Sequence, residues 1–335
     1  MKKLPLGKIH MDILERLLAD YTHGDNRVVV GSGIGEDAAV IDMGDSYLIA
    51  KTDPITSATD EIGYYVVNIN ANDIAAMGGT PRWFLATVLV PKGTGAPELD
   101  RIFGQISESC RNLGIAYCGG HTEVTSSVTS VVVVGQMLGE AAKTKLKPSS
   151  AACEGDHLLM TKSAAIEATS LIAREKENEL EAVFMKSFLT KAKNFLYVPG
   201  ISVVKDAAVV IKVKGVHALH DPTEGGIATG IFEMARASGL GVEVVYKDIP
   251  VRKETQRLCS FYSVDPLGCF ASGSLLIAAS PESSAEVIEK LSASDIPAKR
   301  IGTMVPAGEG MTLIRDGSKE PLPVYHQDEL SRILV

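Results

Sequence analysis

The chain has 335 residues, 45% of them apolar and 22% charged, and carries a formal net charge of −8. No uninterrupted apolar run reaches the roughly 18 residues of a membrane span, and the acidic balance argues against a nucleic-acid partner. The length suggests about two domains, and an acidic protein that binds phosphate needs a metal ion between the two. Five scattered cysteines (110, 118, 153, 259, 269) include no C-x-x-C pair, so neither a zinc nor a redox motif is expected and a reducing, cytoplasmic setting fits best.

In chain order, "MKKLPLGKIHMDILERLLADY" has two lysines but no continuous apolar core and no small-residue cleavage site; it reads as a short amphipathic helix, not a signal peptide. Residues 27–31 read as a strand entering a Gly-rich turn, and 38–42 and 47–52 as two strands joined by "MGDS". A helix is expected from about 60 to 77, closed by Gly78, Gly79 and Pro81, followed by the strand WFLATVLVP. The next helix opens at Pro97 and ends near Gly114, with Leu99, Ile102, Phe103, Ile106 and Cys110 at helical spacing. IAYCGG and SVTSVVVVGQML complete an α+β first domain with mixed strand pairing. The small, polar stretch 139–157 holds the domain boundary, giving domains 1–148 and 149–335. The second domain reads as HLLMTK, a helix from about 164, amphipathic helical sequence over 174–196, a strand near 216–219, a helix over 226–238 and VEVVY. It closes with SLLIAAS, a helix over 282–293, KRIGTMV and MTLIRDG.

Five stretches carry the chemistry. "VVVGSGIGEDAAVID" has Gly31, Gly33 and Gly35, but Glu36 stands at the third fingerprint position and strand-like sequence follows, so a dinucleotide site is rejected. No G-x-x-x-x-G-K-[ST] occurs either. "IAKTDPIT" places Lys51 and Asp53 on one face of a strand by period two, with Pro54 ending the strand. "VNINANDIAAMGGTPRW" reads as a buried helix interrupted by Asn68, Asn70, Asn72 and Asp73, and a buried carboxylate demands a partner. "CGGHTEV" delivers His121, Thr122 and Glu123 at a strand mouth, and "LHDPTEGGIA" does the same for Asp221, Thr223 and Glu224. Each alone reads equally as a turn or a helix cap. Together, Asp37, Asp53, Asp73, Glu123 and Asp221 form a set of hard oxygen ligands suited to Mg2+ and substrate phosphates. His121 is either a general acid/base or a structural histidine bonded to a turn.

"GIGEDAAV", "KTDP", "NDIAAMGGTP", "GGHTEV" and "DPTEGGIA" occur in the order found in the aminoimidazole ribonucleotide synthetase-like ATP-binding superfamily, which the chain resembles over nearly its whole length. Within it the chain looks most like the hydrogenase maturation HypE family. The resemblance implies a two-domain α/β (α+β) fold. Its N-terminal domain dimerises through its sheet, its C-terminal domain is α/β, and ATP with Mg2+ is held near the dimer interface. Carried over by motif, Asp37, Asp53, Asp73 and Glu123 serve the metal. Lys51, Asn72, Asp73, Thr122, Asp221 and Thr223 bind the nucleotide, and His121 and Glu123 are the catalytic candidates. A homodimer, a possible maturation-complex partner and a small or tail-borne acceptor follow from the same resemblance. Two departures stand out. The family's C-terminal Pro-Arg-Ile-Cys is matched here by Arg332-Ile333 with Leu334 in the cysteine's place, so thiocarboxamide dehydration on the tail is not expected. Glu224 stands where many of these sequences carry Arg. The resulting expectation is an ATP- and Mg2+-dependent enzyme that activates an oxygen of its acceptor by phosphoryl transfer. Two alternatives remain: HypE proper, with the sulfur supplied otherwise, or a non-catalytic ATP-binding regulator.

Overall fold

The computed structural model describes residues 4, 7–56 and 60–334. Two compact units make up the chain. One comprises Asp25–Gly31 and Asp37–Leu146. The other comprises Ser32–Glu36, the described residues from Lys147 onward and those up to Gly24, a grouping that sequence order does not suggest. Among the described residues no helix is long and apolar enough to cross a membrane.

Helix α1 (Met11–Tyr21) belongs to the second unit. The first unit is built on β1 (Val28–Val30), β2 (Ala39–Asp42), β3 (Ser46–Ile55), α2 (Ile62–Ala76), β4 (Thr80–Pro91), α3 (Ala96–Leu113), β5 (Ala116–Thr125) and β6 (Val132–Ala142). Its six strands run in the order β1-β2-β3-β6-β4-β5, with β5 at an edge. Only the β4–β5 pair is parallel, so the sheet is mixed, as the sequence pattern predicts. Pro54 does not end β3. The strand continues to Ile55 because β2 has already ended opposite Ala50, leaving no ladder on that side that needs a Pro54 N–H.

Helix α2 is buried on every side, with Tyr64 alone only half-buried, which explains why its sequence shows no polar face. Small residues let it approach both neighbours. A Cβ on Gly63 would sit 2.6 Å from Gln105 Cβ of α3, and one on Gly139 of β6 would sit 2.2 Å from Ile74 Cγ2. Met77, Gly78 (φ +81°) and Gly79 then end the helix, with Gly79 N–H donating to Ile74 O at 3.0 Å.

The second unit continues with β7 (His157–Thr161), α4 (Ile166–Glu175), α5 (Glu177–Leu180), α6 (Lys186–Lys193), α7 (Val204–Val210), β8 (Val216–His220), α8 (Gly226–Ser238), β9 (Gly241–Val245), α9 (Lys253–Tyr262), β10 (Leu276–Ala279), α10 (Pro281–Ser292), β11 (Ala298–Val305), β12 (Met311–Arg315) and β13 (Ser318–Pro321). Its seven strands are ordered β13-β12-β9-β11-β7-β10-β8. Alternate residues Leu158 and Met160, Val242 and Val244, and Leu276 and Ala278 share one core with Ile227, Ile231 and Met234 of α8, which recur at helical spacing. Leu159 and Ile277 on the other face are equally buried, so the sheet is covered on both sides.

Candidate functional site

In the six-stranded unit, the alternation of β3 puts Lys51 and Asp53 on one face, and Lys51 Nζ lies 3.3 Å from Asp53 Oδ2. The same ammonium lies 2.9 Å from Oδ1 of Asp73, which is 4% exposed. Asn70, one helical turn before Asp73, fixes the geometry between helix and strand. Its Oδ1 accepts from Asp53 N–H at 2.9 Å, and its Nδ2 donates to Asp53 O at 3.3 Å and Val66 O at 2.8 Å. Gly135 pairs with Asp53 in the ladder, and a Cβ there would fall 2.4 Å from Asn70 Nδ2. The polar interruptions of the buried helix therefore have distinct roles: Asn70 clamps the backbone of Asp53, and Asp73 presents its carboxylate to Lys51. Asn68 serves the helix itself, donating to Tyr64 O at 2.9 Å, and Asn72 is fully buried in the helix interior.

Asp37 completes the set. It is buried, and a carboxylate oxygen of it lies within 4.8 Å of one of Asp73. Burial pushes the Asp73 carboxyl well above the usual carboxylate range; Lys51 opposes the rise, while Asp53 and Asp37 add to it. Burial works against the Lys51 charge, but Asp73, Asp53 and Asp37 outweigh it and hold the ammonium protonated. Three carboxylates thus share one cation, and the buried Oδ2 of Asp73 has no hydrogen-bond partner among the described residues. Such a donor set, all oxygen and short of positive charge, fits Mg2+.

His121, Thr122 and Glu123 do not join this set within the chain. They lie on β5, and the ladder places His121 opposite Thr87, Thr87 opposite Val134, and Val134 opposite Pro54. Three strand spacings, about 14 Å, therefore separate them from the Lys51–Asp53 end of β3. His121 Nε2 and Glu123 Oε2 are 3.5 Å apart, with both side chains more than half exposed. The strand runs on through Gly119 and Gly120 to Thr125, so the three residues lie within β5 and not at a strand mouth, and the motif could not reveal that two strands intervene.

In the seven-stranded unit, the loop from β8 to α8 carries Asp221 and Thr223. Asp221 is buried. Thr223 Oγ1 accepts from Lys8 Nζ at 3.3 Å, and Glu224 Oε1 accepts from Lys8 N–H at 2.9 Å. Lys8 thus brings a cation to the loop that carries Glu224, across a separation of more than 200 residues that no local motif could signal. Gly225 N–H donates to Asp328 Oδ2 at 2.8 Å, and Leu330 N–H donates to Asp328 Oδ1 at 2.9 Å. Burial raises both Asp328 and Glu167 to about 7, with the charge of Glu224 contributing to each. Behind the loop, His220 lies between Ser149 Oγ (3.1 Å from Nδ1) and Glu233 Oε2 (3.3 Å from Nε2). The Gly-rich turn rests on α8: Gly35 has φ +81°, and a Cβ there would meet Glu233 O at 2.4 Å.

Comparison with known proteins places these features in context. The sequence pattern of "AIR synthase related protein, N-terminal domain" matches residues 35–141, and that of the corresponding C-terminal domain matches residues 154–314. A putative hydrogenase expression/formation protein of Methanocaldococcus jannaschii is 25% identical over 271 residues, 78% of each chain. A selenide, water dikinase of Dechloromonas aromatica is 30% identical over 252 residues, 73% of this chain and 68% of the relative. Among solved structures, the hydrogenase maturation protein HypE in complex with ATP superposes with a TM-score of 0.73 at 22% identity, covering 95% of this chain and 96% of its own.

Proposed function

This chain belongs to the AIR synthase related family, and from that premise we propose that it is an ATP- and Mg2+-dependent enzyme of the HypE-like branch. It transfers the γ-phosphoryl group of ATP to an oxygen (amide, carboxylate or hydroxyl) of a small or tail-borne acceptor, turning that oxygen into a leaving group. The relatives support ATP use: one is a dikinase by name, and a HypE was solved with ATP.

The observation that carries the reading is the charge imbalance in the six-stranded unit, where, among the described residues, Asp37, Asp53 and Asp73 face the ammonium of Lys51 alone and one oxygen of Asp73 lacks a hydrogen bond. In this reading Asp37, Asp53 and Asp73 hold Mg2+, which supplies charge neutralisation at the triphosphate. Lys51 keeps the carboxylates oriented and offers its remaining N–H to phosphate, and Asn70 positions Asp53 through the backbone. His121 and Glu123, on the opposite edge of the sheet, serve a second copy of the chain. The edge of β5 is unpaired among the described residues and carries the exposed Val124, a surface suited to homodimerisation.

Asp73→Asn keeps shape and removes charge. Calorimetric titration with Mg·ATP is expected to show binding in the wild type and at least a hundredfold weaker binding in the variant; unchanged affinity rejects the metal assignment. Phosphate release, measured alongside, separates a catalyst from a protein that only binds ATP.

A further inference from the structure

Cys153, Asp156 and His217 of the seven-stranded unit play no part in the reading above, yet the fold converges on them from two directions. The first is a tight turn. Asp156 N–H donates to Cys153 O at 3.1 Å, Cys153 N–H donates back to Asp156 Oδ2 at 2.9 Å, and Gly155 supplies a positive φ of 86°. The turn is tied to β11 by Gly155 N–H to Met304 O (2.9 Å) and Met304 N–H to Asp156 O (2.8 Å). The second direction is β8. Ala278 pairs with Ala218 and Ala279 pairs with Val216, which leaves His217 as the extra residue of a β-bulge. Bulges re-aim a side chain out of the regular alternation. Here the result is that His217 Nδ1 lies 2.9 Å and 3.0 Å from the two oxygens of Asp156.

The ligand atoms of the three residues all lie within 4.8 Å of one another. Asp156 is buried, His217 is half-buried and Cys153 is exposed, so the set opens to solvent on its sulfur side. We infer that Cys153, Asp156 and His217 form a binding site for a borderline divalent transition cation of the zinc class. One sulfur, one imidazole nitrogen and one carboxylate oxygen are the donors such ions take in three-ligand sites, with a fourth position left for water. Magnesium is excluded from this role because it does not take thiolate. The cation would take the place of the Asp156–His217 hydrogen bond, with Nδ1 as the ligand atom and the ring proton carried on Nε2. Two ligands at about 2.1 Å from a tetrahedral centre are about 3.4 Å apart, so the pair opens by only a few tenths of an ångström. Thiolate and carboxylate together match the double positive charge, and the thiol proton of Cys153 leaves to solvent on binding. Without a cation the thiol stays protonated, because burial and the Asp156 charge both push it up. The absence of any C-x-x-C pair hides this set in the sequence, since its members are brought together by a turn and a bulge 61 residues apart.

Cobalt is the probe. The full chain, kept reduced with a phosphine, is titrated with Co2+ and followed by absorption. The expected result is one equivalent bound, with a thiolate-to-cobalt charge-transfer band that Zn2+ bleaches and excess Mg2+ does not. Cys153→Ser should abolish the band, His217→Gln should weaken Co2+ binding about tenfold or more, and Cys118→Ser, which removes the exposed cysteine of β5, should leave both unchanged. No band in the wild type, a band that survives Cys153→Ser, or unchanged affinity in His217→Gln overturns the site. Cys153 is exposed, so its serine variant tests the ligand without emptying the core.

Discussion

Each unit buries carboxylates, and the two resolve the cost in opposite ways. In the six-stranded unit, Asp37, Asp53 and Asp73 gather around the ammonium of Lys51, and one oxygen of Asp73 still lacks a hydrogen bond among the described residues. In the seven-stranded unit, Asp328 accepts two backbone N–H groups, and both it and Glu167 rise to about 7 with no cation as partner among the described residues. The first arrangement seeks positive charge; the second seeks a proton. Burial of an acid is therefore not by itself a sign of a metal site. What distinguishes the two is the neighbouring ammonium, which opposes the rise of Asp73 and sets three carboxylates around a single positive charge.

Removing that ammonium should have the largest effect on stability. Lys51→Met leaves the carboxylates uncompensated, and breaking a buried pair in this way costs about 3–5 kcal/mol. The low end is expected, since the Lys51 side chain keeps 21% of its surface exposed. Denaturant unfolding at pH 7.5 measures it. If the set seeks a cation, millimolar Mg2+ should restore part of the loss. A variant as stable as the wild type, or one indifferent to Mg2+, would dissolve the contrast between the units.

The seven-stranded unit makes the complementary prediction. A carboxyl whose folded value is about 7 and whose ordinary value is 4.5 binds its proton more tightly when folded. Its contribution is fully present below about pH 4.5, shrinks as the pH rises and is gone above about 7, a change of about 3 kcal/mol at 1.36 kcal/mol per unit. Asp328 adds in the same direction. The midpoint of thermal unfolding should therefore fall between pH 5 and 8, and Glu167→Gln, which mimics the neutral acid, should flatten the fall and be more stable than the wild type at pH 8. An equal slope in the variant would show that Glu167 is already ionised in the fold.

Gly135→Ala tests how the first cluster is positioned. The added methyl meets Asn70 Nδ2 at 2.4 Å, so the clamp on Asp53 must shift. Overpacking of this kind costs about 1–3 kcal/mol, and Mg·ATP affinity should fall with it, although Gly135 carries no functional group. An unchanged affinity would show that Asn70 is dispensable to the site. The clamp also marks the limit of the sequence. Lys51 and Asp53 on one face follow from the alternation of a strand, and the end of α2 follows from Gly78, Gly79 and Pro81. Asn70 gives no such signal, because its partner lies 17 residues away in another element. Lys8 is hidden for the same reason, and so is the cysteine–aspartate–histidine set. Helix α9 escaped notice because only Thr255, Leu258 and Cys259 are buried, too narrow a stripe to stand out from its charged residues. Helix α7 is seven residues of mostly valine and alanine, a run that helix and strand share.

The smallest stability effect belongs to the edge of β5, and there the functional test is sharpest. His121 and its partner Glu123 are exposed, so His121→Ala should change stability by less than about 0.5 kcal/mol. If His121 moves a proton in the reaction, turnover should nevertheless fall about 10²–10⁴-fold. The ladder separation rules out direct contact with Asp53 of the same chain, and in the proposed homodimer that loss arises in a second copy. Mixing decides it. His121→Ala and Asp73→Asn protomers are each inactive alone, but a mixed dimer holds one site with an intact Asp73 from one chain and an intact His121 from the other. Random exchange makes half the dimers mixed, with one good site of two, so about a quarter of wild-type turnover should return. No recovery after exchange would confine His121 to its own chain and leave it structural. Full turnover in His121→Ala alone would remove it from the chemistry, leaving Asp37, Asp53, Asp73 and Lys51 as the whole of the site in this unit.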